Sequence, residues 1–170
     1  MNELFAGFTV GILGWFLSLI IDRNIARVLG RLSYEQLKWL SFCPYLVHKA
    51  LKNIEYITDM ELYSKDDYWA APRDTWHKKA GDCEDYALLS IDLLKPYRYD
   101  YWLVVFRPED TYVHVIAVVT RNYKKYYLFD ISEATLKKIK TNTSGKAIAN
   151  FVGGKHYQAL DTRGWNKNVY

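Results

Sequence analysis

Ala80-Gly81-Asp82-Cys83-Glu84-Asp85-Tyr86-Ala87 sets a cysteine among charges where a loop runs into a helix. Gly81 ends the loop. From Cys83 onward Tyr86, Ala87, Ile91 and Leu94 recur at helical spacing, and Pro96 closes the pattern. A helix start offers unbonded main-chain N–H groups and a partial positive charge. Both favour a thiolate, and the same N–H groups can hold an oxyanion on an attacked carbonyl. Asp82 and Glu84 act in the opposite sense, because neighbouring carboxylates disfavour a thiolate. The sequence leaves that balance open. The other cysteine, Cys43, lies in the apolar run 40–45 and reads as a small buried hydrophobe. Two cysteines in 170 residues do not make a disulfide framework.

Beyond Pro96 the hydrophobic period shortens. Residues 101–106 (YWLVVF), 112–119 (YVHVIAVV) and 126–129 (YYLF) read as strands joined by turns at 107–110 and 121–124. Short turns predict an antiparallel meander, and a helix followed by strands predicts an α+β class. His114 falls within the second strand and Asp130 ends the third. A thiol nucleophile needs a base, and an Asp bonded to one ring nitrogen of a His turns the other toward the thiol. Cys83, His114 and Asp130 therefore supply nucleophile, base and orienting carboxylate if the strand register brings the last two together. Taken singly, each has a plainer reading: a core histidine and a turn aspartate.

Upstream, Ser33 is suited to cap a helix over 34–43 with Glu35 and Gln36 in its first turn. Pro44 interrupts the pattern, which resumes with Leu46, Ala50, Leu51 and Ile54. Residues 59–72 read as loop, and the tail after Asp130, with Thr141 to Gly145 and Gly153-Gly154, reads as irregular.

Tyr68-Trp69-Ala70-Ala71-Pro72 followed by Gly81-Asp82-Cys83-Glu84-Asp85 resembles the transglutaminase-like superfamily. It is most similar to the bacterial transglutaminase-like cysteine proteinases, whose nucleophile sits in a G-D-C-E-D element after a Trp-x-x-Pro segment. The resemblance spans about 66–130, and His114 and Asp130 match the second and third catalytic positions. It implies a papain-like core in which the Cys83 helix packs on an antiparallel sheet. It implies an oxyanion donor upstream, for which Trp69 is the choice over Trp76, although both also suit a core. No cofactor is required by the chemistry. Calcium is implied through Asp82 and Glu84, with Asp85 and Asp66 as further donors, against the alternative that these acids serve their own helix.

Residues 4–21 (LFAGFTVGILGWFLSLII) carry no charge. As a helix they would extend roughly 27 Å, the lower end of a membrane span. Gly7 and Gly11 give a GxxxG spacing. A signal peptide fits poorly, with no basic residue before the run, and a soluble core helix would carry three glycines at about 1 kcal/mol each. Arg23, Arg27 and Arg31 follow the run, so the positive-inside bias puts the C-terminal bulk in the cytoplasm. The same arginines suit an amphipathic helix on a membrane surface. The expected organisation is a hydrophobic, membrane-associated helix with a basic flank over 1–32 and a transglutaminase-like domain over 33–170. The family's best-known members are periplasmic, so the charge bias departs from them.

The net charge of +4 is mild and scattered, which reads as a solvated surface in preference to nucleic-acid binding, and no recognisable nucleic-acid module is present. The expected activity is thiol-dependent amide hydrolysis of a protein or peptide through a thioester. Attack by an amine in place of water would make the same site a transglutaminase. The competing class is a membrane-anchored interaction module that keeps the fold without turnover.

Overall fold

The computed structural model describes residues 21–106, 113–140 and 157–160. A helix, α1, occupies 21–30. Ser33 then caps α2 (Tyr34–Leu40): its hydroxyl accepts from the Gln36 N–H, while the Gln36 side chain accepts from the Ser33 N–H. The cap is as the sequence predicts, but the helix is shorter. Ser41 leaves helical geometry, and Pro44 opens a separate helix, α3 (Pro44–Leu51), with Cys43 at its N-cap. Proline is tolerated in a first turn, where its missing N–H has no helical partner. Cys43 is accordingly half-buried rather than buried.

β1 (Glu55–Tyr56) and α4 (Asp59–Tyr63) follow. The second stands where the sequence predicts loop. Five residues are too few for an apolar period, and the helix is held by a local capping box between Thr58 and Glu61. α5 (Pro72–Lys78) leads to β2 (Ala80–Gly81), which pairs in parallel with β1. Next come α6 (Cys83–Leu94) and a 3-10 turn at Lys95–Tyr97.

β3 (Asp100–Phe106), β4 (His114–Thr120), β5 (Lys125–Phe129), β6 (Lys137–Lys140) and β7 (Tyr157–Leu160) form one antiparallel sheet in the order β6-β5-β4-β3-β7. The meander and the α+β class are as expected, with α6 packed on the sheet. The tail differs from the expectation, because it contributes both edge strands. β6 reads Lys137-Lys138-Ile139-Lys140, and a lysine-rich edge has little of the apolar alternation by which a strand is recognised. His114 also differs: it opens β4 rather than lying inside it.

β4 is buried along its whole length, hence its unbroken apolar run. Val115, Ala117 and Val119 join Leu103, Phe129 and the buried side of α6 in the main core. Ile116 and Val118 join Val104, Tyr126 and Leu128 on the other face. Trp76 is 1% exposed, and its indole N–H donates to the Leu32 carbonyl at 3.0 Å, so it is core. α1 is tied to α3 by an Asp22–Lys49 ion pair and by Asn53, which donates to the Ala26 carbonyl at 2.9 Å. Residues 4–20, the turn at 107–110 and the stretch 141–156 lie outside the described residues. Among the described residues no helix is long and apolar enough to cross a membrane.

Gly81 fixes the approach to α6. A Cβ there would lie 2.8 Å from both Cβ and Oδ2 of Asp85 and 3.1 Å from Cγ2 of Thr75. Gly81→Ala should therefore cost about 1–3 kcal/mol in urea unfolding, the usual penalty for overpacking. A loss below about 0.5 kcal/mol, the range of neutral surface changes, would mean that Asp85 moves aside freely.

Candidate active site

The start of α6 is held by an acid at its third position. Asp82, the N-cap, makes no side-chain cap. Asp85 reaches back instead: its carboxylate accepts the Ala70 N–H at 2.7 Å. Asp85 has no exposed surface, and one of its oxygens lacks a partner. This side chain clips the segment before α5 to the turn that carries Cys83.

Cys83 is the first residue of α6 and is 7% exposed. Its Sγ–H donates to Glu84 Oε2 at 3.0 Å. Burial first, and then Glu84, push the thiol well above its ordinary range. The balance that the sequence leaves open thus falls on the protonated side.

His114 and Asp130 do meet. Nε2 of the ring lies 2.9 Å from Asp130 Oδ1. Paired residues of β4 and β5 end at Ala117 opposite Phe129, and Asp130 continues diagonally toward His114. The same oxygen accepts the Ser132 N–H at 2.9 Å and the Ser132 hydroxyl at 2.7 Å. Burial alone would raise Asp130, but the bonds from His114 and Ser132 hold it below its ordinary value.

The thiol's own hydrogen bond goes to Glu84 and not to the His114 ring. Strict alternation along β4 would group His114 with Ile116 and Val118, away from α6. His114 is however the first residue of the strand, beyond the last β4–β5 pair. Its neighbour Val115 lies in the same buried core cluster as Cys83, and the Asp130 charge adds to burial in raising Tyr86, one turn after Cys83.

Trp69 is half-buried against the core, and its indole N–H donates to Asp67 Oδ1 at 2.9 Å, away from the role expected of it. His77 is exposed, as its sequence context suggests.

Around Asp82 and Glu84 gathers a cluster that the sequence shows only in part. Ligand atoms lie within 4.8 Å of one another in the groups Asp82-Cys83-Glu84, Asp59-Asp82-Asp85 and Asp59-Asp67-Glu84. Asp59 comes from α4, so only the fold reveals it, and Asp67 takes the place expected of the exposed Asp66. Oδ1 of Asp59, Oδ1 of Asp82 and Oδ2 of Asp85 are buried without a partner. Burial, reinforced by Glu84, pushes Asp82 up to about 8. Burial pushes Asp85 up to about 7 against the N–H of Ala70, and it raises Asp59 as well. Crowded carboxylate oxygens lacking donors form the hard, oxygen-only set that calcium takes.

A family model described as bacterial transglutaminase-like cysteine proteinase matches residues 32–143, which include every residue of this site. Among solved structures, Legionella pneumophila LapG is similar at 20% identity, with 68% of this chain and 63% of that chain covered and a TM-score of 0.43. Its EGTA-treated form matches over 68% and 61%, and its calcium-bound form over 68% and 63%, at the same identity and score. The chain thus spans less than two thirds of LapG's length. No curated protein matches the chain closely. On the family match, this chain belongs to the bacterial transglutaminase-like cysteine proteinases.

Proposed function

We propose that this protein is a cysteine peptidase or amidase that cleaves a protein or peptide amide through Cys83, His114 and Asp130. The observation that carries the reading is the 2.9 Å bond between Nε2 of His114 and Asp130, at the strand end whose next residue, Val115, shares a buried core cluster with Cys83. With Nε2 held by Asp130, Nδ1 is the nitrogen that takes the thiol proton. The resulting thiolate attacks the amide carbon, and the imidazolium returns the proton to the departing amine. A thioester forms as the C–N bond breaks, and water, deprotonated by the same nitrogen, releases the acid and regenerates the thiol. Main-chain N–H groups at the start of α6 serve as donors for the oxyanion, while the Trp69 N–H serves Asp67.

A thiol-reactive probe near neutral pH, with adducts mapped by mass spectrometry, tests this reading. Cys83 should label at least tenfold faster than Cys43, and His114→Ala should slow Cys83 by about 10²-fold or more. Equal, sluggish labelling of both cysteines would favour the interaction-module reading. That reading draws on the thiol's bond to Glu84, which keeps the sulfur protonated at rest.

Calcium fits the acid cluster, with Asp59, Asp67, Asp82 and Glu84 as its holders. A bound cation would neutralise these carboxylates and leave Glu84 a poorer acceptor for the thiol. Without the cation, Asp82 and Asp85 hold protons in the folded protein up to about 8 and about 7, against 3.8 when unfolded. The folded state then binds more protons between those limits, so stability falls as pH rises from about 4 to about 8. In a chelator, the melting temperature should drop between pH 5 and pH 8. Millimolar calcium should restore about 5 °C at pH 8 and little at pH 5, and Asp82→Asn should abolish the gain. A calcium-independent melting curve across that range would remove calcium from the account.

A single-pass membrane anchor over residues 4–21, with the catalytic domain on the cytoplasmic side, completes the proposal. α1, which follows in sequence, leaves Ile21, Ile25 and Val28 exposed at i, i+4, i+7, and Arg23, Arg27 and Arg31 are exposed as well. The full chain should stay with membranes through an alkaline carbonate wash. Leu13→Arg with Leu17→Arg, each costing about 2.5–3.5 kcal/mol at a bilayer centre, should release it. Wild-type protein recovered in the wash would refute the anchor.

A further inference from the structure

Residues 39–45, where α2 gives way to α3, carry four exposed apolar side chains and no charge. Trp39 is 81% exposed, and Leu40, Phe42 and Tyr45 are exposed with it. Their main chain is pinned. Ser41 is fully buried, and its hydroxyl donates to the Leu37 carbonyl at 2.7 Å. The Tyr97 hydroxyl reaches the carbonyls of Lys38 and Trp39 at 2.9 and 2.6 Å. The Tyr45 ring stands edge-on to Tyr127, with 5.9 Å between centroids. A fixed scaffold thus holds these side chains in water, at a cost that a covering surface would remove.

The same contacts place the patch. Tyr97 lies just past the C-terminal end of α6, the helix that begins at Cys83. Tyr127 pairs with Val119, five residues along β4 from His114. A helix of 12 residues is about 18 Å long, and five residues of strand extend about 17 Å. Helix and sheet agree: the patch sits at the end of the domain opposite the thiol and the imidazole.

α1 points its start toward that end. Asp22 pairs with Lys49, and the Ala26 carbonyl accepts from Asn53, just past α3. Both partners advance by four residues in the same sense, so α1 runs parallel to α3. Lys49 is one turn beyond Tyr45, so the chain enters α1 from the side of Tyr45. The uncharged run 4–20 precedes that entry. Among possible covers, a bilayer fits both features. Trp and Tyr suit its interface, and the exposed Arg23 and Arg27 of α1 suit anionic headgroups.

We propose that Trp39, Leu40, Phe42 and Tyr45 enter the headgroup region of a lipid bilayer as a second membrane contact, standing the domain upright with Cys83 about 18 Å from the lipid. This rests on the membrane anchor over residues 4–21. It makes the substrate a soluble chain, or a stretch of a membrane protein well clear of the bilayer.

The test uses the full chain in vesicles of phosphatidylcholine and phosphatidylserine. Cys43→Ser and Cys83→Ser leave one introduced cysteine to carry an environment-sensitive NBD label. With a nitroxide-bearing lipid present, the label at Phe42→Cys should lose about half of its emission or more, and at Lys78→Cys less than about a tenth. Lys78 is exposed and lies five residues before Cys83. Trp39→Cys, at the more exposed position, decides if the Phe42 variant does not fold. An alkaline carbonate wash of the same vesicles separates the two readings. No quenching at Phe42→Cys or Trp39→Cys in chain that survives the wash would overturn this inference alone. Blue-shifted emission there without quenching would show protein covering the patch and overturn it too. Equal quenching at Phe42→Cys and Lys78→Cys would mean a domain lying flat and overturn the upright stance. Chain recovered in the wash, with neither site quenched, would overturn the anchor and this inference together.

Discussion

The buried carboxylate of Asp85 is the constraint on which the site depends. It accepts the Ala70 N–H, and it lies so close to Gly81 that an added Cβ there would crowd it. An acid in the first turn of α6 thus bonds a distant segment. Three pieces of chain, before α5, at β2 and at α6, are thereby locked around one turn. That turn presents Cys83 to the end of β4. Gly81 and Asp85 of the motif thus have structural duties of their own, which explains why the element reads as a unit.

The same arrangement carries an electrostatic cost. Asp59, Asp67, Asp82, Glu84 and Asp85 crowd one corner, and several of their oxygens have no donor. Burial and mutual repulsion raise Asp59, Asp82 and Asp85, and the neighbouring Glu84 takes the thiol's hydrogen bond. The helix terminus favours a thiolate, yet burial and Glu84 outweigh it. Reactivity at Cys83 is therefore conditional on what neutralises that corner. At the other end of the sheet's seam, Asp130 sits among donors and stays ionised, ready to hold an imidazolium. The acid cluster and Asp130 are thus driven in opposite directions, upward by burial in the one and downward by hydrogen-bond donors in the other.

Much of this was legible in the sequence because the signals were local. The GDCED element, the switch from helical to strand period after Pro96 and the Ser33 cap each act within a few residues. The long-range features were not legible. Asp59 joins the acid cluster only because α4 packs against β2, just before α6, and α4 itself is too short to show a period. The edge strands were hidden because one is mostly lysine. His114 looked internal to its strand because β4 is buried on both faces, so no alternation marked where pairing begins. The direction of the thiol's shift could not be read either. It depends on burial and on the rotamer of Glu84, neither of which spacing encodes.

The central claim is spatial: sulfur and imidazole must share one pocket at the end of β4. A short bifunctional alkylator, 1,3-dibromoacetone, measures this directly, since its three-carbon bridge joins a thiol to a ring nitrogen only when the two are neighbours. Treated with it, the full chain should yield a Cys83–His114 cross-linked peptide through Nδ1, with no such product from His114→Ala. Recovery of Cys83 alkylated only at one end, with His114 unmodified, would contradict the account.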